Sequence, residues 1–407
     1  MLIEPGDNDY QLELFVPAAS VLTVFDHGGS DCFTVLGSYS MAVQVDLAYL
    51  LDYGTGAACA GMAWYCGLDG IGHQMIVLGL VENAFGGPGT EVISGNELDN
   101  VLSGDTQIDG PGSADTLQGR DGNDTLLGGA GADFLGGDAG DDDLWGHLGA
   151  DTLLGGMGRD TLTGGAGADL IDGGGDAGDL ASYQTSGAGV RITLHAGGAA
   201  TASGGDAEGD VLLGVTGIAG SALRDILVDG TKTDLPQRGN ANLFLGEGGR
   251  DLLALGGGDD TALGGAGNDL VKGEGGADDL QGGTGNDKVL GGAGADRLSG
   301  GTGADKFIFL RPADSGTQPE TCDVIVDFSP TQGDRINLAA LDADWGRSGN
   351  QDFHLVAGEF SGQAGELVQL QDGPDLLLLA DCNGDSLADF ALRLQGVTLL
   401  EAGVLLL

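Results

Sequence analysis

From Gly110 to Asp172 the chain repeats itself every nine residues without a slip, and no other feature narrows its possible folds as much. Aspartate stands at Asp115, Asp124, Asp133, Asp142, Asp151, Asp160 and Asp169, and two residues beyond each comes Leu117, Leu126, Leu135, Leu144, Leu153, Leu162 or Ile171. The period resumes from Gly246 to Ile308 with Asp251, Asp260, Asp269, Asp278, Asp287, Asp296 and Asp305. Its apolar places are Leu253, Ala262, Val271, Leu280, Val289, Leu298 and Phe307; Ala262 and the non-glycine Leu255 mark one weak turn. Each repeat reads G-G-x-G-x-D-x-U-x, with U apolar. The six residues G-G-x-G-x-D predict a turn that visits positive φ, which glycine does at little steric cost. The remaining x-U-x predicts a short strand with one inward side chain, because alternate side chains face opposite ways. Two nonapeptides then close one coil, and two parallel sheets enclose a thin aliphatic core. Seven turns make about 3.5 coils, or roughly 17 Å of stack at ~4.8 Å per strand.

This nonapeptide is known as the calcium-binding repeat of parallel β-helices. The chemistry agrees with the pattern, since stacked coils align carboxylates and bared glycine carbonyls along one side. Oxygen donors with net negative charge suit a hard cation of six to eight ligands, calcium before magnesium or zinc. If each ion bridges one turn and the turn next but one, each array holds about five. The fourteen repeat aspartates are therefore the candidate metal ligands. Without the ion, repulsion and glycine entropy outweigh so thin a core, so binding and folding are expected to be one event. A calcium-free glycine-rich solenoid or a flexible acidic linker are the plainer alternatives.

Composition bears on that choice. Glycine supplies 82 of 407 residues, and 62 acidic side chains face 15 Lys and Arg, for a formal charge of −47. Such a charge makes nucleic acid and anionic lipid poor partners and cations natural ones. Disorder fits badly, because 41% of the residues are hydrophobic and they recur on a fixed period. No apolar run approaches the roughly 20 residues of a membrane span, and the start, Met-Leu-Ile-Glu-Pro, shows no cleavable signal pattern. Five cysteines (Cys32, Cys59, Cys66, Cys322 and Cys382) are too few for a disulfide scaffold; Cys59 and Cys66 either close a small loop or remain free thiols.

The flanks carry further motifs. "LTVFDHGGSDCFTVLG", "GLVENAFGG" and "ISGNELDNVLSGD" precede the first array, and "CDVIVDF", "GDRINLAALD", "FSGQAGELVQL" and "DCNGDSLADFALRLQGV" follow the second. In this order they resemble the C-terminal region of the serralysin family, secreted bacterial zinc metalloproteases with RTX calcium-binding repeats, from about Val21 onward. The second array and the segment between arrays depart from the compact plan of that family. The resemblance implies an all-β fold: a β-rich cap over 1–92, a first parallel β-roll over 93–182, an intervening β segment with a loop insertion over 183–241, a second β-roll over 242–308, and a serralysin-type β domain over 309–407. It implies a further calcium site at Asp26, Gly28, Gly29, Asp31 and Glu82, although Leu80 replaces the threonine of that element. It also implies export through a type I secretion transporter by an uncleaved C-terminal signal, here "LLEAGVLLL", and hence an extracellular bacterial protein, expected to be a monomer. Asp381, Asn383 and Asp385 are spaced like the start of an EF-hand loop, but Leu392 stands where its closing Glu belongs, so a polar hairpin turn is expected.

The catalytic half of a serralysin is missing. The histidines are His27, His73, His147, His195 and His354, no two within one helical turn, so the His-Glu-x-x-His zinc site is absent. No serine has glycine at both −2 and +2, and the one G-x-G-x-x-G, at Gly173, Gly175 and Gly178, leads into no helix pattern. The expectation is a secreted calcium-binding module that is not an enzyme. The alternatives are a calcium-stiffened adhesin-type surface protein and a fragment of a zinc metalloprotease.

Overall fold

The computed structural model describes residues 62–64, 73–76, 83–85, 90–105, 112–195, 199–230 and 241–407. It divides into two compact units, Met1–Tyr183 with Gly198–Val215, and Gln184–Gly197 with Thr216–Leu407. The intervening stretch 183–241 therefore contributes to both units.

In the first unit the coil closes every eighteen residues. Thr116–Asp121, Phe134–Ala139, Thr152–Met157 and Leu170–Gly174 pair in parallel on one sheet, with Leu117 opposite Leu135, Leu135 opposite Leu153 and Leu153 opposite Ile171. The alternate repeats build the other sheet from Val101–Ser103, Thr125–Ala130, Asp143–Leu148, Thr161–Ala166 and Leu180–Ser182. The apolar residue of each repeat points inward and is fully buried, from Leu117 through Ile171. The coil also reaches upstream of the nonapeptides, because Asn83–Phe85 pairs in parallel with Val101–Ser103 and Glu91–Ser94 with residues of Thr116–Asp121. At the far end Val211–Leu213 adds in parallel to Leu170–Gly174, and Ala199–Ser203 lies antiparallel on it.

The second unit repeats the plan. Ile226–Asp229, Leu252–Ala254, Leu270–Gly275, Lys288–Ala293, Lys306–Ile308 and Arg335–Asn337 form one parallel sheet. Leu243–Leu245, Thr261–Gly267, Asp279–Thr284, Arg297–Thr302 and Asp323–Ile325 form the other. Beyond Ile308 longer antiparallel strands appear, Glu366–Asp372, Asp375–Asp381 and Phe390–Leu394, and Phe390–Leu394 returns in parallel onto Asp323–Ile325. The chain's last strand, Leu405–Leu406, pairs in parallel with Arg335–Asn337. The weak turn at Ala262 is repaired by its neighbour: Phe244 stands opposite Ala262 in register, and both are fully buried.

The strands are longer than the three residues x-U-x expected from the repeat. Most span six, as in Asp143–Leu148, because the ladder continues through the first three residues of the following repeat. Only the last three residues before and including the aspartate make the reversal. Positive φ falls at the second and fourth places of the repeat, for example Gly129 at 111° and Gly131 at 152°. The second place also holds Arg120, Asp138, His147, Glu247 and Glu274 in the left-handed region, where a Cβ is strained but tolerated. The fourth place is glycine in every repeat from Gly122 onward, and a Cβ on Gly140 would strike the Gly122 carbonyl of the coil before it. Gly140→Ala is therefore expected to lower the thermal midpoint of the folded protein sharply, whereas Gly175→Ala, with no atom near its would-be Cβ, should leave it within a degree or two. Differential scanning calorimetry of the two variants decides this.

Candidate metal sites

Each repeat places its aspartate at the end of the reversal, just before the strand, where the tight glycine turn brings neighbouring coils close. The fourteen side chains do not point into solvent: all are at most 3% exposed. Each carboxylate splits its two oxygens between different tasks. Oδ1 accepts the backbone N–H of the aspartate one coil earlier, as from Asp115 to Asp133 at 2.7 Å, Asp133 to Asp151 at 2.8 Å and Asp151 to Asp169 at 2.8 Å. The second unit repeats this from Asp251 to Asp269 at 2.8 Å, Asp269 to Asp287 at 2.8 Å and Asp287 to Asp305 at 2.8 Å. In the repeat aspartates from Asp124 onward Oδ2 accepts nothing. In Asp124, Asp133, Asp142, Asp151, Asp160 and Asp169, and in the seven aspartates from Asp251 to Asp305, this oxygen is buried without a hydrogen-bond partner.

In most of the described repeats the first-place glycine keeps a gap open in front of that oxygen. A Cβ on Gly128 would lie 2.6 Å from Asp133 Oδ2 and 3.0 Å from the carbonyl oxygen of Gly146, the corresponding glycine one coil on. The same pairing of carboxylate and carbonyl recurs for Asp142 with Gly155, Asp151 with Gly164, Asp251 with Gly264, Asp278 with Gly291 and Asp287 with Gly300. Among the described residues no three His, Cys, Asp or Glu side chains gather into a metal cluster. The donors here are different, one carboxylate oxygen per coil and peptide carbonyls, all hard oxygen.

Burial, with repulsion from neighbouring carboxylates, holds these groups far above the ordinary 3.8 for aspartate. Asp133, Asp169, Asp260 and Asp287 are pushed up to about 7 and Asp251 and Asp278 to about 8, while backbone hydrogen bonds pull the other way. Asp124, Asp142 and Asp305 rise to about 6 for the same reasons, and Asp151 to about 6 by burial.

The ladder is longer than the nonapeptides. Asp179 accepts the Asp160 N–H at 3.0 Å and Asp323 that of Asp296 at 3.0 Å, and both keep a buried Oδ2 without a partner. Three other carboxylates occupy rungs with both oxygens satisfied by protein donors. Asp210 accepts Asp169 N–H and the Tyr183 hydroxyl at 3.0 Å, Asp225 accepts the Ser221 N–H at 2.7 Å, and Asp334 accepts Asp305 N–H and the Ser329 N–H at 2.8 Å. The sequence signal for all five was present as Asp-x-apolar, in "DLA", "DVI", "DVL", "DIL" and "DRI". A second, exposed ladder runs the opposite way one residue earlier: Asn123 accepts the Asp141 N–H at 2.8 Å, and Asn268 accepts the Asn286 N–H at 2.7 Å.

A family model for the RTX calcium-binding nonapeptide repeat matches this chain four times, over residues 110–144, 145–180, 239–271 and 272–307. The chain carries RTX calcium-binding repeats. The first two copies lie in the first unit and the last two in the second, so the RTX arrays and the buried carboxylate ladders coincide. No curated protein matches the chain. Among solved structures, the R3 subunit of the mannuronan C5-epimerase AlgE6 from Azotobacter vinelandii is 29% identical, covering 42% of this chain and 82% of that one at a TM-score of 0.21. The extracellular lipase LipA from Serratia marcescens is 16% identical, covering 86% of this chain and 45% of that one at a TM-score of 0.22.

The expected site at Asp26, Gly28, Gly29, Asp31 and Glu82, the Cys59 and Cys66 pair and the loop 231–240 lie outside the described residues. Asp381 sits in a hairpin turn, where its carboxylate accepts the backbone N–H groups of Gly384 and Ser386 at 2.6 and 2.9 Å. Its oxygens are thus already used. Cys322 and Cys382 are free and buried.

The raised pKa values fix the direction of a pH effect on the metal-free RTX arrays. A carboxyl whose folded pKa lies above its unfolded 3.8 favours folding when protonated, so that contribution is complete below about pH 4 and disappears as pH rises through about 6 to 8. In chelator, β-sheet circular dichroism should therefore grow on acidification from pH 8 toward pH 5, and a flat profile would contradict the buried ladder.

Proposed function

We propose that this chain is a secreted module whose two RTX arrays fold when calcium fills the gaps between their coils, and that it is not itself an enzyme. The observation that carries this is the buried, partnerless Oδ2 on rung after rung, facing a peptide carbonyl of the next coil. A buried carboxylate without a donor costs more than the thin core returns, and a divalent cation removes that cost while bridging two coils. The fourteen repeat aspartates are the proposed ligands, together with Asp179 and Asp323. The gap chemistry favours calcium over magnesium, because peptide carbonyls at fixed separation suit a large ion that sheds its water easily.

The same energetics supports export. Where calcium is scarce the arrays stay unfolded and can be threaded through a type I transporter; where calcium is abundant, each bound ion stabilises the folded state by mass action. The tail "LLEAGVLLL" ends in the strand Leu405–Leu406, paired with Arg335–Asn337, so it is free to act as an export signal only before folding. The serralysin-like flanks support the same route.

Titrating calcium into the chelated chain at pH 7.5 is expected to give a cooperative coil-to-β transition by circular dichroism, with magnesium at the same concentration giving little. Full β signal in the chelated sample would remove the proposal.

A further inference from the structure

Not every gap in the ladder is built alike. In the second unit one edge is formed by rungs Asn242, Asp260, Asp278, Asp296 and Asp323, each accepting or donating in the same backbone pattern; Asn242 N–H, for instance, donates to Asp260 Oδ1 at 2.7 Å. Its first two gaps differ from those that follow.

At the first, asparagine replaces aspartate. The Asn242 side-chain amide donates to the Leu255 carbonyl oxygen at 3.1 Å and to Asp229 Oδ2 at 3.0 Å. In the regular gaps that carbonyl, from the first residue of the next coil's repeat, faces a carboxylate oxygen that has no donor of its own. Here an N–H group joins the two sides directly, and the neutral amide supplies the positive hydrogens that a cation supplies elsewhere.

At the second gap, leucine replaces glycine. Leu255 holds the first place of its repeat and keeps the regular backbone register, donating to Lys272 O at 3.0 Å as Gly246 donates to Leu263 O at 2.8 Å. A Cβ at this place in the other repeats would enter the gap between carboxylate and carbonyl, as on Gly264 and Gly282. Leu255 carries a whole isobutyl group from that place, and it is fully buried. Leu255 and the Phe244 that backs Ala262 give this coil more apolar bulk than the regular repeats have.

We infer that the Asn242 and Asp260 gaps are closed to cations, one by the Asn242 amide and the other by the Leu255 side chain, so that calcium on this edge begins at Asp278. The inference rests on the calcium reading above and refines it. On this edge the first two rungs form a metal-independent platform, fastened by side-chain amide and apolar packing, on which the cation-dependent rungs stack. Gly273, at the first place before Asp278, restores the open cradle with Asp278 Oδ2 and the Gly291 carbonyl.

Native mass spectrometry of the full chain at saturating calcium chloride tests this by counting ions. Leu255→Gly is expected to bind one ion more than the wild type, Asn242→Asp also one more, and Asp278→Asn at least one fewer. Wild-type counts in both Leu255→Gly and Asn242→Asp, alongside a loss in Asp278→Asn, would overturn the inference while leaving the calcium reading intact. No uptake by the wild-type chain would instead sink that reading. If Leu255→Gly does not fold, Asn242→Asp alone decides, since it changes a single atom type in the gap and leaves the apolar packing in place.

Discussion

The structure depends on how each rung divides its carboxylate. One oxygen is spent on the backbone of the preceding coil, which sets the eighteen-residue register and locks successive reversals together. The other is thereby held at fixed position, out of water, with no donor. Thirteen repeat aspartates from Asp124 onward share this state, so the penalty is cooperative: the stack cannot relieve one rung without moving its neighbours. In the proposed reading, a divalent cation between a carboxylate oxygen and a carbonyl of the next coil would convert this unfavourable contribution into the cohesion of the roll. The inward Leu, Ile and Val residues orient the coils but are one layer deep per strand, too few to offset the entropy of so much glycine.

At some rungs outside the nonapeptides, protein donors take over. The Tyr183 hydroxyl on Asp210, the Ser221 backbone and hydroxyl on Asp225 and the Ser329 N–H on Asp334 each satisfy the oxygen that interior rungs leave bare. At these three rungs protein donors leave no bare oxygen for an ion to meet, whereas Asp179 and Asp323 keep one. This is the logic of capping repeats in solenoids, expressed in hydrogen bonds instead of polar surface.

Much of this was legible in the sequence. The nine-residue period sets the coil, the U position sets the core, and the aspartate identifies the buried acid, because all three are local and recur. The length of the strands was not legible, since Gly-Gly-x reads as turn by propensity while the parallel ladder carries it into the sheet. Rungs outside the nonapeptides were written in the sequence as Asp-x-apolar, but insertions of one residue before Asp179 and of longer loops before Asp210 and Asp323 break the period that made the others visible. The division of labour between Oδ1 and Oδ2 has no sequence signature at all; it follows from the geometry of coils stacked eighteen residues apart. Nor could pairing of Tyr183 with Asp210 be read from spacing, because the strand Ala199–Ser203 intervenes.

Departures from the repeat consensus carry more information than the repeats. Arg120, Asp138, His147, Glu247 and Glu274 at the second place show that a side chain in the left-handed region is tolerated there. Every described glycine at the first place borders the gap itself, so a side chain there changes chemistry as well as conformation. Leu255 is the exception among the fourteen, and it coincides with Asn242 in the coil before it, the rung whose carboxylate is gone, and with Phe244 packed over Ala262. Apolar volume and an amide replace ion binding together at one place. That concerted exchange is what a chain needs if one coil must hold its shape before any calcium arrives.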